Sequence, residues 1–257
     1  MRANRLKAIW REGGVVWNGW LHIPNTWSAE IMAHAGWESL TVDLQHGLHG
    51  IETTIQMMQA ISTTDTVPLA RLTWNDPGMA MRLLDGGAYG IICPMIETRA
   101  ECEAFVGACR YPPLGYRSLG PTRARVYAGA DYALHANDEI VTFAMVETQR
   151  ALDNLDEIAS VPGLDGIFVG PGDLYLSLTG KIGMDVDDPV MDAALDAVIA
   201  ACKTRQLIPG IFTGSAAYAR RMAARGFRFI TLRTDTLLLT EAAKAIVNQA
   251  KSSEKEG

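Results

Sequence analysis

The sequence predicts an α/β protein: a single (β/α)8 TIM barrel over residues 1–257, with extra helices at its amino and carboxyl ends. Two observations carry this. Eight short apolar or β-branched runs alternate with helical patterns, which implies parallel strands joined by right-handed crossovers. Several of those runs end abruptly in charge, and a buried strand has no structural need for charge at its carboxyl end. A length of 257 residues is one that such a barrel commonly fills alone.

The runs lie at 15–23, 39–43, 67–72, 90–96, 140–147, 166–169, 209–212 and 229–233. Thr26 begins a helical stretch that stops at Gly36. Asp76 and Pro77 open another as cap and first-turn proline, with Met79, Met81, Leu83, Leu84 and Ala88 on its apolar face. Residues 152–158 read as one helix, and Ser215 caps a helix that stops at Gly226. Two long connections break the rhythm: 111–139, rich in Gly, Pro, Arg and Tyr, and an acidic one at 180–189. A long loop in a compact barrel is usually functional or partner-contacting. The last helix runs from Asp235 to about Lys251, and the polar tail behind it is expected to fray. A doubly wound open sheet is the competing architecture, but nothing resembling GxGxxG follows the first strand.

Composition excludes several classes of function. With 48% hydrophobic and 20% charged residues the chain can build a large core, and its net charge of −6 with no basic run gives nucleic acid no footing. No apolar run reaches the roughly 20 residues of a membrane span, and the first ten residues lack the apolar core of a signal peptide. Cys93, Cys102, Cys109 and Cys202 form no CxxC pair, so reduced, buried thiols and a cytoplasmic location are expected.

The chemistry gathers at strand ends. Asp43 and His46 follow the second run, Arg71 the third, Glu147 the fifth and Asp173 the sixth, and a barrel brings those ends to one face. The bland reading of each acid alone is a salt bridge or a helix cap. Paired on adjacent strands, Glu147 and Asp173 can grip one divalent cation, and oxygen-only ligation suits Mg²⁺ or Mn²⁺. The glycines of Gly170-Pro171-Gly172-Asp173 let backbone N–H groups approach an anion, such as a substrate carboxylate at the amides of Gly172 and Asp173. Arg71 is a fixed cation for a developing oxyanion. An imidazole is the natural proton carrier near neutral pH, and His46 supplies the one in this set. His22 ends the first strand at the expected mouth of the site, Trp20, Trp74 and Tyr116 are candidate walls, and His49 leaves an HxxH pair with His46 open. No lysine ends a strand: Lys7, Lys181, Lys203, Lys244, Lys251 and Lys255 read as surface, loop or tail positions, which disfavours a Schiff base.

Taken in order, Val42-Asp43-Leu44-Gln45-His46-Gly47, Leu84-Asp85-Gly86-Gly87-Ala88, the stretch from Arg110 to Arg117, Val146-Glu147-Thr148 and the stretch from Asp165 to Leu174 resemble the HpcH/HpaI aldolase/citrate lyase family, in particular its metal-dependent class II pyruvate aldolases. The resemblance spans about 14–239. It implies that Glu147 and Asp173 bind a divalent metal (Mg²⁺, Mn²⁺ or Co²⁺), that Arg71 polarises the pyruvyl carbonyl, and that His46, oriented by Asp85, transfers protons. It further implies that the Gly172 and Asp173 amides receive the carboxylate, that Phe212 shapes the aldehyde pocket beside Trp20, and that the chain is a hexamer, a trimer of dimers exchanging their last helix. Two positions depart from the family pattern. Gln45 stands where Glu is usual, and Met145 where Gln is common, which removes one negative charge and one polar contact near the site.

The implied reaction is reversible aldol cleavage, with pyruvate or a related 2-oxo acid such as hydroxypyruvate as donor and an aldehyde as acceptor. Alternatives on the same barrel are a metal-dependent 2-oxo acid decarboxylase, a macrophomate synthase-like cyclase, an acyl cleavage of the citrate lyase type, and a non-catalytic sugar-acid-binding protein.

Overall fold

The computed structural model describes residues 1–252; the tail from 253 onward, with Lys255, lies outside the described residues. Strands β1 (Val16–Leu21), β2 (Ser39–Asp43), β3 (Val67–Arg71), β4 (Gly90–Cys93), β5 (Val141–Val146), β6 (Gly166–Val169), β7 (Ile208–Thr213) and β8 (Phe229–Thr234) close into a barrel in sequence order, every neighbour parallel and β8 returning to β1. Around them run α1 (Arg5–Arg11), α2 (Thr26–Ala33), α3 (Ile51–Ile61), α4 (Pro77–Asp85), α5 (Arg99–Cys109), α6 (Thr122–Ala128), α7 (Tyr132–Glu139), α8 (Gln149–Asp153), α9 (Leu155–Ala159), α10 (Pro171–Thr179), α11 (Pro189–Arg205), α12 (Ala216–Arg225) and α13 (Asp235–Ser252). The predicted (β/α)8 barrel is the observed one. No helix among the described residues is long and apolar enough to cross a membrane.

Local chemistry sets the boundaries. The Asp76 carboxylate accepts the Met79 N–H, with Pro77 in the first turn, and Ser215 caps α12 by accepting the Tyr218 N–H. The cap of α2 is Asn25, one residue before the expected start, because its side chain reaches the N–H groups of Trp27 and Ser28. Three expectations are corrected. The fourth strand stops at Cys93 rather than at 96, where Pro94 and a left-handed Met95 (φ 54°) turn the chain. The single helix expected at 152–158 is two short ones broken at Asn154. The long loop at 111–139 contains α6 and α7. The connection after α10 is irregular, as read from the sequence.

Apolar side chains fill the lower barrel. Phe143 and Phe229 stack at 4.7 Å, Phe168 meets Phe229 at 5.8 Å, and Trp10 from α1 plugs the amino end edge-on against Phe143 and Phe229. Gly166 makes room for that plug, since a Cβ there would lie 2.4 Å from the Phe143 ring. Above the rings sits a buried polar brace. Asn18 donates to Thr231 Oγ1 (2.9 Å) and accepts from Ser39 (2.8 Å) and Thr41 (3.1 Å), tying β1 to β8 and β2. Asn18 thereby satisfies polar groups that would otherwise cost about 1–3 kcal/mol each in an apolar interior.

All four cysteines are buried and unpaired, as expected, and burial pushes Cys102, Cys109 and Cys202 up to about 12. They pack as small apolar side chains and are not poised as nucleophiles.

Candidate active site

At the carboxyl end of the strands a cavity of about 170 Å³ is lined by Trp20, His22, His46, Arg71, Met145, Glu147, Phe168, the Gly170–Asp173 turn, Met184, Phe212 and Thr234. Residues from β1, β3, β5, β6, β7 and β8 thus share one small space, as the closed barrel requires.

Asp43 is the hub beneath it. Fully buried at the end of β2, it takes Arg71 in a two-pronged bond, Nε to Oδ1 at 2.8 Å and Nη2 to Oδ2 at 2.6 Å. Oδ2 also accepts the Trp20 indole N–H (3.0 Å) and lies 2.8 Å from His22 Nε2, while Oδ1 accepts the Gln45 amide (2.9 Å). Burial alone would raise the pKa of this carboxyl, yet the bonds from His22, Arg71 and Trp20 outweigh it and hold the group well below the usual carboxylate range. Asp43 therefore organises the site rather than facing substrate. It also leaves Arg71 with one guanidinium nitrogen, Nη1, that has no oxygen partner among the described residues; its neighbour is Met145 Sδ at 4.0 Å. The guanidinium lies 4.9 Å over the Trp20 ring, which fixes its plane.

Glu147 stands across the cavity, 2% exposed, its Oε1 accepting the Met95 N–H at 2.8 Å. The left-handed turn at Met95 is what aims that amide. Burial pushes Glu147 up to about 7, and the nearby charge of Asp173 adds to the rise. Gly170 is needed here because a Cβ would sit 2.4 Å from Glu147 Oε2. Asp173 lies in the first turn of α10, whose N-cap residue Gly170 has no side chain to cap it, so its early N–H groups have no side-chain partner. The two acids line one cavity and sense each other's charge.

Other candidates go elsewhere. His46 lines the cavity on an exposed turn, and its ring makes no hydrogen bond among the described residues. Asp85 cannot orient it within this chain. As the last residue of α4, Asp85 lies at the opposite, amino end of the barrel and pairs with Arg117 at 2.7 Å. Arg117 is itself buried between Tyr111 (4.5 Å) and Tyr132 (5.4 Å). Arg110, also at the amino end, bonds Asp165 at 2.6 Å. Those motif stretches pin the 111–139 connection to the barrel floor. His49 turns its Nδ1 to Thr54 (3.1 Å), does not line the cavity and forms no pair with His46. Trp74 and Tyr116 are exposed and do not line it either, leaving Trp20 as the wall. No described lysine reaches the cavity.

A family model for HpcH/HpaI aldolase/citrate lyase matches residues 19–242. The chain belongs to the HpcH/HpaI aldolase/citrate lyase family. Membership makes it a carbon–carbon lyase. A hydroxypyruvate/pyruvate aldolase from Rhizorhabdus wittichii is 38% identical over 249 residues, covering 97% of this chain and 99% of that one. A 4-hydroxy-2-oxo-heptane-1,7-dioate aldolase from Salmonella dublin is 35% identical over 88% of this chain and 87% of its own. Among solved structures, an HpcH/HpaI family protein from Burkholderia cenocepacia superimposes with a TM-score of 0.89 at 31% identity, covering 97% of this chain and all of that one.

Against the family pattern, Gln45 has turned its Oε1 into the protein without a partner, and Met145 lays a thioether against Arg71 where an amide is common. Three cavity residues escaped the sequence reading: Phe168, which lies inside a strand run, Met184 and Thr234. Met184 comes from the acidic connection, which Asp185 fastens by accepting the Gly214 N–H at 2.8 Å. Thr234 ends β8. The one signal available for Thr234 was its place at a strand end; Met184 had none.

Proposed function

We propose that the chain carries out metal-dependent, reversible aldol cleavage with pyruvate or hydroxypyruvate as donor and an aldehyde as acceptor. The observation that carries this reading is the meeting of Glu147, Asp173 and the free face of Arg71 around one cavity beside the uncapped start of α10.

The residues fit a divalent cation. Glu147 Oε2 and both Asp173 oxygens accept no hydrogen bond among the described residues, and the burial and like charge that push Glu147 up to about 7 are what a cation between the two acids would offset. Among the described residues no cluster of three or more His, Cys, Asp or Glu gathers. Two acids therefore leave the remaining positions to water and substrate, in keeping with Mg²⁺, Mn²⁺ or Co²⁺ and not with a closed structural site. When bound, the ion supplies a Lewis acid that polarises the 2-oxo carbonyl and spreads the charge of the enolate.

The chain's own groups do the rest. The amides of Gly172 and Asp173, at the positive end of α10, receive the donor carboxylate. Arg71 Nη1 donates to the donor's 2-oxo oxygen, its plane held by Asp43 and Trp20. His46 moves the proton at the donor carbon. Phe168, Phe212 and Trp20 keep water from the nucleophilic carbon.

Assembly is part of the proposal. Beyond its first turn α13 is exposed, with Leu239, Ile246 and Val247 turned to solvent, as is Leu237 within that turn. This supports a homo-oligomer, a hexamer in which the last helix is exchanged between copies. Four unpaired buried thiols fit a reducing compartment such as the cytoplasm.

The test is chelation. Dialysis against EDTA should abolish pyruvate-dependent aldol addition, and Mg²⁺, Mn²⁺ or Co²⁺ should restore it. Full activity in the stripped protein would overturn the reading.

A further inference from the structure

His22 is a second imidazole on the cavity, and its placement is built from two sides. Its ring Nε2 lies 2.8 Å from Asp43 Oδ2, and its backbone N–H donates to Asp235 Oδ1 at 2.9 Å, with the Ile23 N–H on Oδ2 at 3.1 Å. Asp235 is buried at the start of α13, so the loop after β1 is nailed to the end of β8. An ionised carboxylate only accepts, so Nε2 carries a proton. Nδ1 is the remaining polar atom of a ring that lines the cavity, and it makes no hydrogen bond among the described residues.

Strand order says which substrate half it meets. In a ring of eight staves closed in sequence order, β1 stands opposite β5. Glu147 and Asp173 follow β5 and β6. His22, Phe212 and Thr234 belong to the contiguous arc of β1, β7 and β8, and Phe212 packs edge-on against Trp20 at 5.8 Å. The donor is held on one side, and the imidazole with a free nitrogen lies on the other.

We propose that His22 is the catalytic residue at the acceptor oxygen, serving as general acid in addition and general base in cleavage, while His46 handles the donor carbon. This rests on the aldol reading above. In cleavage, neutral His22 takes the hydroxyl proton at Nδ1. The oxygen pair becomes the aldehyde carbonyl, the carbon–carbon bond breaks, and its electron pair stays on the donor as the enolate, which is then protonated at carbon. The imidazolium is held against Asp43 and returns its proton to water. Addition reverses each transfer. The logic is that of a carboxylate-oriented imidazole, with Asp43 also tied to Arg71, so the two halves of the site share one anchor.

The test separates those halves. His22→Gln places an amide N–H about where Nε2 stands, able to bond Asp43, and removes the proton carrier. With Mg²⁺ present, exchange of the pyruvate methyl protons in heavy water is followed by NMR. Addition is followed with whichever of glycolaldehyde, acetaldehyde and benzaldehyde the wild-type chain turns over fastest. The expected result is exchange within about threefold of wild type and addition slowed by about 100-fold, the range of a lost general acid. Exchange falling in step with addition would make His22 a prop for Asp43 and Arg71 and overturn the proposal, as would unchanged addition. A wild-type chain that does not exchange at all would instead overturn the aldol reading beneath it.

Discussion

At the scale of single residues, the most consequential contact is the one between Asp43 and Arg71. A buried pair of this kind gains little over apolar packing when complete, but losing one partner strands the other's charge and costs about 3–5 kcal/mol. Asp43→Asn should destabilise the fold by about that much at pH 7, measured by urea denaturation, because Arg71 is left buried and only half satisfied. The carboxyl is held below the value of a free aspartate, about 3.9. Its contribution is therefore complete above that pH and disappears as the pH falls through the folded-state value. The gap between wild type and variant should be widest near neutrality and narrow below about pH 4; a gap independent of pH would contradict the pairing. This residue also marks how far a sequence can be read. That Asp43 ends a strand beside a site was legible. That it serves three side chains rather than substrate was not, because Trp20, His22 and Arg71 arrive from other strands. The pairing of Asp85 with Arg117 was hidden for the same reason.

At the scale of elements, legibility followed length and punctuation. Boundaries marked by strong signals, such as the start at Asp76-Pro77 or both ends at Ser215 and Gly226, came out within a residue of the observed ones. Ala88, by contrast, read as part of the helix after Asp76, lies three residues past its end at Asp85. Helices α6 and α7 have seven and eight residues, too few turns for a 3.6-residue period to emerge from a stretch rich in Gly, Pro and polar groups. The break at Asn154 between α8 and α9 left the helical pattern across it intact. Helix α1 shows an element with a purely mechanical task. It carries Trp10 into the open amino end of the barrel, where the indole N–H donates to the Arg228 carbonyl at 2.9 Å. Trp10→Ala should lower stability by about 3–5 kcal/mol through the void left beside Phe143 and Phe229. At temperatures where the variant is folded, kcat/KM should stay within about twofold, since the plug and the reacting groups lie at opposite ends of the strands. A large loss of kcat/KM in folded protein would show the two ends to be coupled.

For the molecule as a whole, the barrel and the face that bears the chemistry could both be read from alternation and from where charge falls. How copies assemble could not be read from periodicity, because an exchanged helix carries the same pattern as one that packs at home. α13 presents Ile246 and Val247 to solvent in the isolated chain, an arrangement that a larger assembly would cover. Ile246→Glu with Val247→Glu should shift the sedimentation coefficient toward smaller species; an unchanged value would mean the helix is not part of the contact.

The brace at Asn18 limits how this catalyst can be reshaped. Trimming side chains beside Asn18 would not open usable depth, since the groups there are hydroxyls and an amide whose bonds are already made. Bulkier aldehydes would have to be admitted sideways, past Phe212, or through the ceiling at Met184. Directed evolution for new acceptors should accordingly collect its changes around the rim and leave the cellar alone.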